Sequence, residues 1–297
     1  MAGEQKTPSF RSSRMFIASM LIFGTIGIFR RYLPFSSAFL ACARGISGGF
    51  SLLLFISLAG KSSGLGLPKK ALLWLAVSGA VMGFNWILLF EAYNYTTVAI
   101  ATLCYYMEPV IVTLLSPLLF KEKLTAKKSA CAACAILGMV LVSGVFGDGQ
   151  GGSIKGVLLG LGAAVLYSTV VIINKRVPVE DAYRKTTVQL FSAGLVMVPY
   201  LLLTGDSITT GAAGAGDILL LLAVCLVHTG LAYVLYFGSM DGMKAQSVAI
   251  LSYIDPVTAF LLSALFLREP IGPAGILGAV LIIGSAVISE KKTSPSS

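Results

Sequence analysis

The chain of 297 residues is 56% hydrophobic and only 12% charged, with 32 glycines and 16 phenylalanines, whereas an ordinary soluble domain is about 25% charged. A mean hydropathy of +0.88 excludes a water-soluble globule and makes lipid the solvent for much of the chain. The formal charge of +9 does not signal nucleic acid, because the 22 Lys and Arg residues lie in short clusters between apolar runs rather than along one face.

A basic head, Lys6, Arg11 and Arg14, precedes the first apolar run. It imitates a secretory signal, but no small-residue cleavage site stands clear of the helix, so residues 1–14 are expected to be a retained tail. Ten spans are then expected: 15–33, 36–58, 71–93, 97–119, 128–146, 154–174, 186–204, 217–239, 246–267 and 272–289. All must be helical, since lipid offers the backbone no hydrogen-bond partner. Residues 291–297 form a second tail. The five cysteines all fall in apolar segments. Cys131 and Cys134 share a helix face, but only the distant His228 is available to join them, so no metal site and no cofactor is expected.

Lys and Arg favour cytoplasmic loops. With both termini cytoplasmic, 17 of the 22 basic residues fall inside; Arg30, Arg31, Lys155 and Arg268 fall outside, and Arg44 lies within the second span. Arg30 and Arg31 are a local exception to the rule. The expected location is the cytoplasmic, or inner, membrane.

The polar run GDGQGGS, 147–153, stands near the middle with five spans on each side. YYMEPVIVTLLSPLLFKE and SYIDPVTAFLLSALFLRE align without gaps at an offset of 147. Tyr106/Tyr253, Pro109/Pro256, Ser116/Ser263 and Glu122/Glu269 are identical pairs, and Glu108/Asp255 and Lys121/Arg268 keep their charge. Leucines match by chance in any two apolar helices; an acid, a proline and a terminal basic-acidic pair do not match together. Five is odd, so the second half enters the membrane from the opposite side. The fold expected is all-α, with repeats at 15–146 and 154–290 in inverted topology, the geometry of alternating access in secondary transporters. Pairs of small residues four apart, Gly45/Gly49, Gly79/Gly83, Gly156/Gly160 and Ala274/Gly278, let helices approach closely.

These residues resemble the drug/metabolite transporter superfamily and its ten-span EamA-like family. In the first repeat the likeness runs through Gly24, Pro34, Arg44, FEAYNYTTVAIATLCYYMEPVIVTLLSPLLFKEKLT and Gly138. In the second it runs through AYVLYFGSMDGMKAQSVAILSYIDPVTAFLLSALFLREPI and GILGAVLIIGSAVIS. The resemblance implies an all-helical transporter of small metabolites, often amino acids or related compounds, driven by an ion or substrate gradient. It covers the prolines after the two acids and leaves the acids themselves to physical argument.

Glu108 and Asp255 sit near the centres of the fourth and ninth spans. An ionised carboxylate there costs about 2.5 to 3.5 kcal/mol, so each should face a cavity, carry a proton or meet a cation. Either the pair couples protons to substrate movement or neutralises a cationic or zwitterionic substrate, or it is structural, with Glu108 on Arg44 and Asp255 on helix backbone. Pro109 and Pro256 offer no N–H to the carbonyls of Tyr105 and Ser252, so both helices should kink, with Tyr105 and Ser252 one turn before the acids. Arg44 should face protein or water and meet a substrate carboxylate or Glu108. His228 is either a neutral core histidine or a proton relay. Asn85, Trp86, Glu91, Tyr167 and Tyr233 are candidates to line the route, or else core and helix glue; aromatic faces suit protonated amines. Lys121/Glu122 and Arg268/Glu269 end equivalent helices at opposite faces as gates or anchors. No P-loop, catalytic triad or metal motif is present in the sequence, so no enzyme is expected.

The function expected is proton-coupled export of a small amino-acid-like or amine-bearing metabolite. The rivals are a substrate exchanger or facilitator without protons, and a non-transporting receptor or membrane enzyme. The partners expected are a small-molecule substrate, protons and the bilayer, with no nucleic acid, and the chain a monomer or homodimer.

Overall fold

A computed structural model describes residues 10–60, 66–121, 124–143, 153–177, 179, 181–240, 243 and 245–290. Most of the 147–153 connector, both outermost tails, Glu122 and several loop lysines lie outside the described residues. Within them the regular secondary structure is helical, apart from one isolated β-bridge between Phe35 and Thr209.

Ten spans are present, several of them interrupted. Span 1 is Phe10–Gly24 and Ile26–Tyr32, span 2 Ser37–Leu58 and span 3 Lys69–Tyr95. Span 4 is Val98–Tyr105 and Glu108–Phe120, span 5 Ala126–Ser143, span 6 Ile154–Arg176 and span 7 Ala182–Thr204. Span 8 joins Ala215–Ala223 and Ala232–Met240 through a π-helical stretch, Val224–Leu231. Span 9 is Ala245–Ser252 and Ile254–Phe266, and span 10 is Pro273–Glu290. The first eight are long and apolar enough to cross a bilayer by length and composition; the apolar helices of the last two, Ile250–Phe266 and Pro273–Ser289, are shorter.

Local chemistry explains the starts. Ser36 and Thr97 accept hydrogen bonds from the backbone N–H groups of Phe39 and Ile100, satisfying donors that a helix start leaves free. Asp181 does the same for Tyr183 and Arg184 at the head of span 7. At the expected proline kinks the helices are interrupted by turn residues, 106–107 in span 4 and 253 in span 9. Helix stops at Tyr105 and Ser252 and restarts so that Pro109 and Pro256 fall in the first turn of the new segment, where a missing N–H leaves no gap.

The duplication is visible in the backbone. Val98–Tyr105 and Ala245–Ser252 are separated by 147 residues at both ends, as are Ala126–Ser143 and Pro273–Glu290. Lys121 and Arg268, again 147 apart, have φ of 56° and 54°, and no other non-glycine described residue has positive φ. Packing obeys the same exchange. Spans 2 and 7, 4 and 9, and 5 and 10 pack on each other; span 3 packs on 6 and 7 as span 8 packs on 1 and 2, and span 4 packs on 6 as span 9 packs on 1. The halves are therefore two five-helix repeats about a pseudo-two-fold axis.

In lipid, helices associate through close contact rather than hydrophobic exclusion of water, and small residues stand at the tightest crossings. A Cβ on Gly45 would strike the backbone of Gly194 between spans 2 and 7, and one on Gly138 would lie 2.7 Å from the carbonyl oxygen of Gly278 between spans 5 and 10.

Candidate functional site

A cavity of about 660 Å³ lies between the repeats. Glu108 with Pro109 and Asp255 reach it from the restarted segments of spans 4 and 9, with Tyr105 and Ser252 beside them, Arg44 from span 2, Trp86 from span 3, Tyr167 from span 6 and Tyr233 from span 8. Its lining extends through Met20 to Val248 and Met243, in the linker before span 9. That is the end of the bundle where span 1 begins.

Seven of the chain's 11 tyrosines line this space. Four were not among the candidates: Tyr93, Tyr106, Tyr236 and Tyr253. Tyr106 matters most, since its hydroxyl donates to Asp255 Oδ2 at 2.6 Å and joins repeat 1 to the acid of repeat 2. Tyr253 holds the corresponding position, its ring centroid 6.3 Å from that of Tyr106. The sequence signal existed: the two tyrosines are identical at the repeat offset and lie two residues before each acid. Gly24 lets span 1 approach; a Cβ there would sit 2.7 Å from the carbonyl oxygen of Asp255.

Arg44 is buried, and its guanidinium lies over Trp86 at 4.3 Å and Phe90 at 5.3 Å from the ring centroids. Its Nε donates to Thr229 Oγ1 at 3.0 Å, and the Thr229 hydroxyl in turn donates to the Val224 carbonyl within the π-helical stretch.

Three other candidates do not line the cavity. Asn85 is fully buried and donates to the Ala163 carbonyl at 2.6 Å, joining spans 3 and 6. His228 stands behind Arg44, its Nε2 2.8 Å from Thr25 Oγ1 where span 1 is interrupted. Glu91 belongs to the far end, accepting from Ser37 Oγ at 2.6 Å, which itself accepts from Arg30. Pro256 is buried in span 9 and likewise outside the lining.

At that far end Arg30 and Arg31 both have partners within the protein. Arg30 is buried against the Leu33 carbonyl and Ser37. Arg31 donates to the Thr96 carbonyl at 2.9 Å and pairs with Glu269 at 3.3 Å. Glu269 also accepts from the N–H of Val98 at 2.9 Å and of Ala99 at 3.4 Å. Span 1, span 4 and the end of span 9 are thus tied at the end opposite Met243. Nearby, Ser36 and Thr210 bond the 34–36 and 208–210 linkers together. In the corresponding place near the other end, Arg176 donates to the Leu119 carbonyl and Lys175 lies over the Phe120 ring. No group of three potential metal ligands occurs among the described residues.

The sequence profile of the EamA-like transporter family matches residues 13–144 and 154–290, one match in each repeat. The chain belongs to the EamA-like transporter family. Among curated relatives, this EamA-like chain is 24% identical over 293 residues to an uncharacterized transporter, YxxF, of Bacillus subtilis (strain 168), covering 96% of this chain and 93% of that one. It is 25% identical to an uncharacterized transporter of Archaeoglobus fulgidus, covering 93% and 95% of the two chains, and 28% identical to Protein PecM of Dickeya dadantii (strain 3937), covering 88% and 85%. A crystal structure 20% identical superposes with a TM-score of 0.63 over 94% of this chain and 96% of the other, a likeness of fold. The EamA-like protein is accordingly a multi-pass membrane protein of a transporter family, not of an enzyme family.

Proposed function

We propose that this EamA-like protein is a secondary active transporter that exports a small amino-acid-like or amine-bearing metabolite by alternating access, coupled to proton entry. On this reading it lies in the cytoplasmic membrane with both termini inside. The observation that carries the proposal is one cavity between two inverted repeats, with an equivalent acid from each, Glu108 and Asp255, on its wall. Burial disfavours the ionised form of a carboxylic acid unless a cation or donor meets it. A site with two such acids exchanges a proton for a protonated amine without leaving a bare charge in the membrane. The aromatic walls suit the amine, since ring faces attract cations. The bundle supports alternation because its two ends differ. The cavity lining reaches the end of Met243, while Arg31, Glu269 and the head of Val98–Tyr105 close the other. The fold's internal symmetry makes exchange of the two arrangements a rocking of one repeat on the other.

The test is reconstitution of the purified chain into liposomes with a pH-sensitive dye inside. A gradient of a transported amine should move protons in the opposite direction, and Glu108→Gln or Asp255→Asn should abolish that coupled flux. Solute exchange with unchanged lumenal pH would overturn proton coupling; absence of any solute flux under every gradient would overturn transport.

A further inference from the structure

We infer that Arg44 forms a carboxylate-binding subsite, so that the cavity takes solutes bearing a carboxylate at one end and an ammonium at the other. The inference rests on the transport reading above and names the residue that reads the solute's carboxylate.

The argument begins with an uncompensated charge. Arg44 is 4% exposed and lines the cavity. Among the described residues its side chain makes one hydrogen bond, from Nε to Thr229, and no ion pair. The faces of Trp86 and Phe90 offset part of the charge, and an anion in the cavity is the partner that compensates the rest most strongly. Using Nε on Thr229 fixes the plane of the group and leaves the two Nη nitrogens as a fork. A fork of parallel N–H donors matches the two oxygens of a carboxylate.

The rest of the wall selects what carries that carboxylate. Glu108 and Asp255 line the same cavity, so a multiply charged anion meets repulsion, whereas a zwitterion offers its ammonium to the acids and its carboxylate to the arginine. Between these poles stand ring faces, among them Tyr93, Tyr105 and Tyr233, which fit an apolar body. The support of Arg44 is itself built for position. Thr229 sits in the π-helical stretch, and such local widening of a helix is frequent at functional sites.

The probes are the proteinogenic L-amino acids, each with its own amide and its decarboxylated amine, titrated against the detergent-purified full chain by equilibrium binding. At least one amino acid should bind, with its amide and amine about 100-fold weaker, because a site built around a buried polar group rejects the analogue that leaves it unpaired. Arg44→Gln should erase the preference, bringing acid and amide to within about twofold of each other. Asp255→Asn should weaken acid and amide alike and preserve the ratio. Equal binding of acid and amide, retention of the preference in Arg44→Gln, or no binding by any amino acid would each overturn the subsite. If Arg44→Gln does not fold, the acid and amide comparison on the unaltered chain decides alone. Liposome counterflow separates this outcome from failure of the broader reading: amine flux indifferent to the carboxylate leaves transport standing and removes the role of Arg44.

Discussion

Asp255 shows how a single side chain ties the repeats together, because its hydrogen-bond donor, Tyr106, comes from the other half. Tyr106→Phe should lower stability by about 1–3 kcal/mol, the cost of leaving a buried acceptor without its donor. In a cycle with Asp255→Asn, denaturation of the purified chain should give a coupling of about 0.5–3 kcal/mol; strictly additive losses would mean that the contact contributes nothing. The two acids were legible in the sequence because charge in lipid is costly and marks itself. Tyr106 was not singled out, since a tyrosine carries no such cost and only the repeat alignment distinguishes it. Asn85, Glu91 and His228 are polar inside apolar runs but lie outside the cavity lining, and each hydrogen-bonds within the bundle, to the Ala163 carbonyl, Ser37 and Thr25 respectively. Polarity alone does not say whether a neighbour or a ligand answers it.

At the level of helices, the interruptions carry the information. Lys121 and Arg268 adopt left-handed backbone at equivalent helix ends, a conformation that costs a residue with a Cβ roughly 1–2 kcal/mol, partly offset in glycine by its greater unfolded freedom. Lys121→Gly and Arg268→Gly should each raise stability by up to about 1 kcal/mol; a loss from either in a thermal melt would show that its side chain does more than turn the chain. Glu269 stands one residue further, accepting from Arg31, Val98 and Ala99. Removing its charge should loosen that end by about 1.5–3 kcal/mol, the range for hydrogen bonds to charged groups. Thr102→Cys, placed on the cavity wall in a chain whose native cysteines are alanine, should then react at least about tenfold faster with an impermeant maleimide applied from the Arg31 side. An unchanged rate would exclude Glu269 from closure. The proline breaks were readable as kinks, because a missing N–H is a local fact. The π-helical stretch was not, since VCLVHTGL has the composition of any apolar helix and its register follows from packing around Arg44 and Thr25.

For the whole molecule, composition gave the solvent and the offset of 147 the duplication. Which span meets which lay beyond periodicity, because pairing depends on where small residues from distant segments coincide. Gly138→Ala should therefore destabilise the chain by about 1–3 kcal/mol through overpacking against span 10. Gly284→Ala, with nothing near its Cβ position, should be neutral or stabilise the helix by up to about 1 kcal/mol. Equal effects of the two in a denaturant titration would refute the assigned crossing. The most extensive helix pairs, 2 with 7, 3 with 6 and 5 with 10, all join one half to the other. Biogenesis must reckon with this: emerging helices of the first half have few lasting neighbours until the ribosome delivers the second, and a prematurely terminated product is left as a substrate for membrane quality-control proteases.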